Sequence, residues 1–295
     1  MIAGHKHKQL TDNFYKGDDM IDFEIPEETK AIRAKVRQFV QDECIPAEEQ
    51  CTAENFDTTL AQLREKARSQ GLWCPFVPTE HGGMGLKPLA NALVQMELGE
   101  SFLGALALNT QGPDDATMLT LLEHGTEEQR ERYLKPLLDG QKRICYSMTE
   151  KAAGADATGM QTTAVLDGDN WVLNGEKWYS SSADVADIAV VMAKTDPDAP
   201  RHEQYSTFIV ELPNPGYQIV RNIETMQPHT QLGLKLGASH SEIKIENLQV
   251  PRENILGGRG KGFDMGQHRL AYGRLRHGMH NVAMAPVSDT QLRAH

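Results

Sequence analysis

Apolar residues recur every three or four positions through the opening third of the chain, which is the spacing of amphipathic helices. Thr126 and Gln129 have the spacing of a capping box and predict the start of a further helix. We therefore predict a flexible arm at residues 1–22 and a helical N-terminal domain at residues 23–143. The apolar positions that define the earlier helices are Ile32, Val36, Phe39 and Val40; Leu60, Leu63 and Ala67; and Leu89, Leu93, Met96 and Leu98.

The pattern then changes to short segments rich in β-branched and aromatic residues, separated by Gly, Pro, Asn or Asp, which is typical of strands. Asn174-Gly175 predicts a tight hairpin turn and Asp167-Gly168-Asp169 a second one, so we expect an antiparallel meander. The pattern predicts a central antiparallel β domain at residues 144–257. The predicted strands are Cys145–Thr149, Met160–Leu166, Trp171–Leu173, Lys177–Ser180, Ile188–Lys194, Thr207–Leu212, Tyr217–Arg221 and Glu242–Val250.

A helical pattern returns at Gly262 and is predicted to stop at Pro286, within a final segment at residues 258–295. The fold class is therefore α+β, with an all-α N-terminal domain, a central antiparallel β domain and the start of a C-terminal helical domain. A single helix cannot bury its apolar face alone, so we expect this one to need a partner surface.

Composition narrows the class of protein. Of the 295 residues, 39% are hydrophobic and 24% charged, as in globular proteins, and no apolar run approaches the roughly 18 residues of a membrane span. A formal net charge of −11 argues against a nucleic-acid surface. The N-terminal residues lack the apolar core of a secretory signal, so we predict a cytoplasmic protein, with location in an organelle left open. The four cysteines lack CxxC spacing, which favours reduced thiols over a metal site.

Two segments carry the most specific signal: Tyr146 to Glu150, with the sequence YSMTE, and Leu173 to Ser181, with the sequence LNGEKWYSS. Further short motifs follow along the chain, among them VPRENIL at 250–256 and QHRLAYGR at 267–274. Together they resemble the acyl-CoA dehydrogenases along nearly the whole chain, nearest to the branch of family members 10 and 11. Members of that family continue into a full C-terminal helix bundle, so the resemblance implies that most of that bundle is missing here.

The resemblance implies an FAD site. In it, Tyr146, Met148 and Thr149 would face the pyrimidine edge of the flavin, and Gly154 would permit close backbone approach. Tyr179 and Ser181 would flank the ring. In Tyr179-Ser180-Ser181, the polar Ser180 replaces an aliphatic residue of the family, and Ala155 replaces a serine whose hydroxyl lies near the substrate. The implied cofactor-binding residues are Tyr146, Met148, Thr149, Gly154, Ala155, Tyr179, Ser180 and Ser181.

The family reaction removes the α proton of an acyl-CoA thioester with a carboxylate base. Family members place that base either late in the C-terminal bundle or one residue before an arginine of the first bundle helix. The matching pair here is Gly273-Arg274, so neither position supplies a carboxylate and the catalytic base stays unassigned. Arg274 matches a family arginine near the substrate.

Other polar groups of this helix have less specific interpretations. Asp264, His268 and His277 have no matching base role, and surface or interface positions are expected for the two histidines. The arginine-rich run around Arg274 favours a solvated helix face over a phosphate-binding cluster. The glycine-rich stretch 257–262 favours a connecting turn over a phosphate loop, because it lacks the GK[ST] ending.

Three functions stay open on the sequence. The first is an acyl-CoA dehydrogenase-like oxidoreductase, a homo- or hetero-oligomer, that binds FAD incompletely alone and is completed by a second chain. The second is a catalytically silent or split subunit that binds flavin or acyl-CoA. The third is an oxidase or monooxygenase, suggested by Ser180 beside the ring.

Overall fold

The computed structural model describes residues 24–226 and 230–293, so the predicted arm lies outside the described residues. Helices fill the first part of this range, and π-helical turns continue two of them at Val40–Cys44 and Arg130–Leu134. The helices are α1 Glu27–Phe39, α2 Ile45–Glu49, α3 Phe56–Ser69, α4 Pro88–Leu98, α5 Gly104–Ala107, α6 Asp114–His124, α7 Glu127–Gln129 and α8 Lys135–Leu138.

These helices form where the apolar spacing predicts them. In α3, Leu60, Leu63 and Ala67 are buried along one face. The capping box at α7 is present, since the Gln129 N–H donates to Thr126 Oγ1 and the Thr126 N–H donates to Gln129 Oε1, each at 3.2 Å. Local signals therefore suffice for this part of the chain.

One mixed sheet follows, with the order β6-β7-β3-β2-β4-β5-β8 and β1 paired to β4. Most pairs are antiparallel, which confirms the α+β fold class, but β1 and β2 both run parallel to β4. The predicted meander is therefore wrong, because strands that pair are often not consecutive. The strands are β1 Ile144–Ser147, β2 Thr163–Asp167, β3 Asn170–Ser181, β4 Ile188–Lys194, β5 Tyr205–Glu211, β6 Tyr217–Asn222, β7 His240–Pro251 and β8 Ile255–Leu256.

The two predicted turns have different outcomes. Gly168 has φ +60° and joins β2 to β3, as predicted. Asn174 and Gly175 instead lie inside β3, so the second predicted hairpin is wrong. The register against β7 shifts between Leu173 and Gly175, and a Cβ on Gly175 would lie 2.6 Å from Thr162 Oγ1. The glycine is therefore needed for a bulge and a close approach, not for a turn.

Two further helices complete the described chain: α9 Gln231–Lys235 and α10 Gly262–Arg293. The prediction that the last helix stops at Pro286 is wrong, since α10 continues to Arg293. A proline removes one backbone donor, and this need not end a helix. The glycine-rich stretch 257–262 joins β8 to α10, as the connecting-turn interpretation predicts.

Three clusters of buried hydrophobic residues hold the helices and the sheet together. One lies within α1, α3 and α4, and a second lies on one face of the sheet. A third joins the other sheet face to α6 and its neighbours, through Ile144, Val190 and Ile209 against Met118 and Leu121. Among the described residues, no helix has the length and apolar character to cross a membrane.

The second half of α10 contacts α4 through the half-buried His280. His280 Nε2 lies 3.0 Å from Gln95 Oε1. Burial, followed by the nearby Arg276 and His277, lowers the pKa of His280 from 6.5 to about 4. Because the folded pKa lies below the unfolded one, this group's contribution to stability is present above pH 6.5 and is lost as pH falls toward 4.

We therefore expect wild-type protein to lose about 2 kcal/mol more stability than His280→Gln between pH 7 and pH 5, at 1.36 kcal/mol per pKa unit. Urea unfolding followed by tryptophan fluorescence at both pH values measures the difference. Asp115, whose pKa burial raises to about 6, acts with the opposite sign, but equally in both proteins. Equal pH dependence of the two proteins would contradict the assignment.

Candidate functional site

The ends of β1 and β3 bring the two most specific sequence segments together. The Thr149 carbonyl accepts a 2.7 Å hydrogen bond from the Trp178 N–H. Residues 146–149 and 178–181, which are far apart in sequence, therefore form one edge, here named the β1–β3 junction. The sequence predicts this pairing of segments.

A buried ion pair lies beneath the junction. Lys177 Nζ lies 2.8 Å from Glu150 Oε1 and also donates to the Met148 carbonyl at 3.1 Å. Their side chains are 0% and 3% exposed. Glu150 also accepts backbone N–H groups of Gln161 and Thr162 at 2.5 and 3.0 Å. Burial alone would raise the pKa of Glu150, but Lys177 and these donors outweigh it and hold that pKa below its ordinary value.

Three buried hydroxyl groups also connect the strands beneath the β1–β3 junction. Ser147 Oγ lies 2.8 Å from both Ser180 Oγ and the Tyr217 hydroxyl oxygen. Ser180 is fully buried, so its side chain points into the sheet core and not toward a ligand at the junction. Contact of Ser180 with a cofactor stays a prediction. The Ser180 hydroxyl, which suggested an oxidase or monooxygenase, is hydrogen-bonded to Ser147 instead.

The outer side of the junction offers polar and aromatic groups. Tyr179 has φ +57° and a side chain 49% exposed, a strained backbone for a residue of this type. Ser181 Oγ lies 2.9 Å from His240 Nδ1. The half-buried Thr149 hydroxyl makes no hydrogen bond with any group in residues 24–226 or 230–293. The register of β3 against β7 shifts between Lys177 and Ser180, so Tyr179 lies in a bulge, and its ring is exposed whereas Ser180 is buried.

The loop after Thr149 leaves space beside the junction. Gly154 and Ala155 are exposed, and a Cβ on Gly154 would meet no atom within 4 Å. Arg201 closes the far side of this loop, donating to Asp156 Oδ2 at 2.9 Å and to Thr158 Oγ1 at 2.5 Å. A ligand can approach the Gly154 backbone without displacing protein atoms.

The first turns of α10 lie over the inner side of the junction. A methyl group on Gly266 would lie 3.5 Å from both the Tyr146 hydroxyl and Met148 Sδ. The Arg269 guanidinium carbon lies 4.1 Å from the centre of the Tyr146 ring. Two helical turns further along α10, Arg276 Nε lies 2.9 Å from Oδ2 of the buried Asp115. These contacts dock α10 against β1 and α6.

The comparisons with known proteins cover most of the chain. Residues 26–141 match the N-terminal domain of acyl-CoA dehydrogenases, and residues 145–248 match their middle domain. The chain belongs to the acyl-CoA dehydrogenase family. The resemblance read from the sequence is confirmed, including the likeness to family members 10 and 11.

Three relatives show the extent of the match. Acyl-CoA dehydrogenase family member 11 of Gallus gallus is 35% identical over 271 residues, which is 86% of this chain and 34% of the relative. A putative acyl-CoA dehydrogenase from Mycobacterium abscessus has 32% identity and a TM-score of 0.82, covering 90% of this chain and 69% of that one. An acyl-CoA dehydrogenase from Bacillus anthracis, complexed with FAD, has 32% identity and a TM-score of 0.70, covering 88% and 42%. The chain thus spans about a third of the first of these relatives.

The polar groups of α10 separate into two sets in this acyl-CoA dehydrogenase family member. Arg269 and Arg276 are turned inward, so the solvated-face interpretation is wrong for them. Arg276 pairs with the buried Asp115 of α6, and Arg269 lies over the Tyr146 ring of β1. Arg274 is exposed and forms no hydrogen bond or ion pair within the described part of the chain. Its contact with substrate stays a prediction. Asp264, His268 and His277 are exposed, as expected for the histidines.

Sequence reasoning missed the buried charges that support the site. Lys177 lies inside the LNGEKWYSS motif, in which only the aromatic and hydroxyl residues were assigned a role. Asp115 is paired with an arginine more than a hundred residues later, so nothing local marks it. A signal for the Asp115–Arg276 pair was available in the seven-residue spacing of Arg269 and Arg276. This spacing places both arginines on one helix face.

Proposed function

We propose that this chain holds FAD at the β1–β3 junction and takes part in the α,β-dehydrogenation of an acyl-CoA thioester. One observation carries the proposal: the junction presents the unpaired Thr149 hydroxyl beside the exposed Tyr179 ring and the open space at Gly154. Family membership and the FAD-bound relative from Bacillus anthracis support it.

The residues present fit a flavin. An isoalloxazine needs an aromatic or apolar face and hydrogen-bonding groups along its edge, which Tyr179, Thr149 and Ser181 provide. The buried Lys177–Glu150 pair and the Ser147–Ser180 contact fix the backbone from below. A donor set held in this way is pre-organised, which reduces the ordering cost of binding.

A flavin held by Thr149, Tyr179 and Ser181 would supply the hydride acceptor for the β carbon of the acyl chain. The chain's own task is to orient the thioester and exclude water, and the group that removes the α proton stays unassigned. We propose Arg274 as a cation near the substrate. Gly273, in the position before it, offers no carboxylate, so this chain does not supply the base there.

We expect Thr149→Val to weaken FAD binding about tenfold, the effect of losing one hydrogen bond of roughly 1.4 kcal/mol. The change removes a hydroxyl that has no partner within the described residues, so stability without FAD should not fall. Titration with FAD, followed by flavin fluorescence and by the melting temperature, measures both quantities. Thr163→Val, at an exposed position of β2, is the matched control.

Unchanged FAD affinity in Thr149→Val, with wild-type binding intact, would place the flavin elsewhere. A wild-type protein whose melting temperature does not respond to saturating FAD would contradict the proposal as a whole. Weaker binding in Thr163→Val as well would show a general effect on the sheet.

A second candidate is a binding subunit that another chain completes. The outer face of α10 favours it, since Leu275 and Val282 are 49% and 52% exposed. Purified protein should distinguish the two. Flavin absorbance that bleaches on addition of an acyl-CoA indicates a dehydrogenase, whereas stable absorbance indicates a binding subunit.

A further inference from the structure

Glu123, His124 and His268 meet where the end of α6 passes α10. His268 Nε2 lies 3.0 Å from Glu123 Oε2, and His124 Nε2 lies 3.7 Å from the same oxygen. The two imidazole rings are edge to face, with centroids 5.5 Å apart. One ligand atom from each residue falls within 4.8 Å of the other two.

We propose that these three residues bind a divalent transition metal, with Zn²⁺ as the preferred ion, and that the ion links α6 to α10. Two imidazole nitrogens and one carboxylate oxygen form a His₂Glu set, which suits Zn²⁺. Bonds of about 2.0–2.2 Å in tetrahedral geometry require ligand atoms about 3.3 Å apart. The measured separations of 3.0 and 3.7 Å lie on either side of that value.

The surroundings favour a cation. Glu123 and His124 lie in the last turn of α6, where the carbonyl groups at a helix end give a partial negative charge. His124 also borders a cavity of about 500 Å³ that Glu127 and Glu128 line. The three side chains are between 33% and 49% exposed, so an ion reaches them directly from solvent. Two arginines also lie on this side: Arg130 donates to the Leu121 carbonyl at 3.4 Å, and Arg132, which lines the same cavity, is paired with Glu211.

A three-residue site leaves one coordination position open for water or another ligand. Its residues come from two helices that are far apart in sequence, so metal binding would fasten α10 to the N-terminal helices. The same helix covers the β1–β3 junction through Gly266 and Arg269. The ion would therefore stabilise the position of α10, which lies over the proposed flavin site. Binding of the ion does not depend on flavin.

The test uses the full chain, stripped of metal with a chelator and then titrated with ZnCl₂. His5 and His7, outside the described residues, offer a rival site, so the experiments are done in a His5→Gln/His7→Gln background. We expect one Zn²⁺ per chain by elemental analysis and a higher melting temperature with the metal. Co²⁺ in place of Zn²⁺ should give the absorbance bands of a tetrahedral site.

Single substitutions then locate the ion. We expect His268→Gln and His124→Gln each to weaken binding by more than about tenfold, since even residues outside the first coordination shell affect metal affinity by about 10- to 100-fold. His81→Gln, an exposed histidine of the N-terminal helices, should bind as the parent does. Glu123→Gln keeps the size of the side chain and removes the charge. Circular dichroism confirms that each variant is folded.

Undiminished stoichiometry and affinity in folded His268→Gln or His124→Gln would overturn the proposal. So would a background protein that takes up no Zn²⁺ at micromolar concentration. Equal losses in His81→Gln would show nonspecific binding by surface histidines and would also overturn it.

Discussion

Gly273→Glu should raise the rate at which this chain exchanges the α proton of a bound acyl-CoA with solvent by about 10²- to 10⁴-fold, the usual contribution of a positioned general base. The expectation rests on the proposed function. In the family, one position for the catalytic carboxylate is the residue before the arginine, and here that residue is Gly273.

The structure makes room for this side chain. Gly273 lies one helical turn beyond Arg269, on the face of α10 that docks against β1 and α6. A Cβ at Gly273 would meet no atom within 4 Å. Replacing a glycine within a helix also stabilises it by roughly 0.5–1 kcal/mol, so the variant should fold.

Deuterium uptake at the α carbon, measured by NMR with and without FAD, reports the proton step separately from flavin reduction. Gly273→Gln has the same shape without the charge and should show no gain. Gly278→Glu places a carboxylate at a second open glycine of the same helix and should also show none. Equal exchange in all three variants, or no gain in Gly273→Glu that still binds acyl-CoA, would contradict the expectation.

Lys177→Met should lower the free energy of unfolding by about 3–5 kcal/mol, the usual cost of breaking a buried ion pair by removing one partner. Glu150 would be left 3% exposed without its cation, and the Met148 carbonyl would lose its donor. The loss is a large fraction of the total stability of a typical domain, which is about 5–15 kcal/mol. Urea unfolding at pH 7 measures it.

Lys244→Met is the matched control. Lys244 Nζ lies 2.9 Å from Glu246 Oε2, but both side chains are about half exposed. Surface pairs of this kind contribute about 0–1 kcal/mol, so the same substitution should have little effect there. Lys177→Met/Glu150→Leu should recover part of the stability, since no buried charge remains unpaired. A Lys177→Met protein as stable as the control would show that water reaches the pair.

The parts of the fold that local signals determine could be predicted from the sequence. The capping box at Thr126, the Gly168 turn and the apolar faces of the early helices depend on residues within a few positions of each other. Asn174-Gly175 shows the limit of such signals, since the same dipeptide serves a turn or a bulge. The difference depends on Thr162 and β7, which approach from elsewhere in the chain.

The candidate site divides in the same way. Its two segments were predicted from their motifs, and the structure brings them together at Thr149 and Trp178. The direction of each side chain was not predictable, because a strand alternates its faces and the register depends on long-range pairing. Ser180 therefore looked like a ligand contact, whereas its hydroxyl is buried against Ser147. The inward positions of Arg269 and Arg276 depend on partners that only the fold supplies.

The three-hydroxyl cluster has a consequence for how this family branch varies. Ser147, Ser180 and Tyr217 come from β1, β3 and β6, and each satisfies a hydrogen-bonding group of another in the core. An aliphatic side chain at position 147 alone would remove both hydrogen bonds and leave the buried Ser180 hydroxyl without the partner it has here, at a cost of about 1–3 kcal/mol. Positions 147, 180 and 217 should therefore change together among homologues, and their covariation identifies sequences that share this internal polar contact.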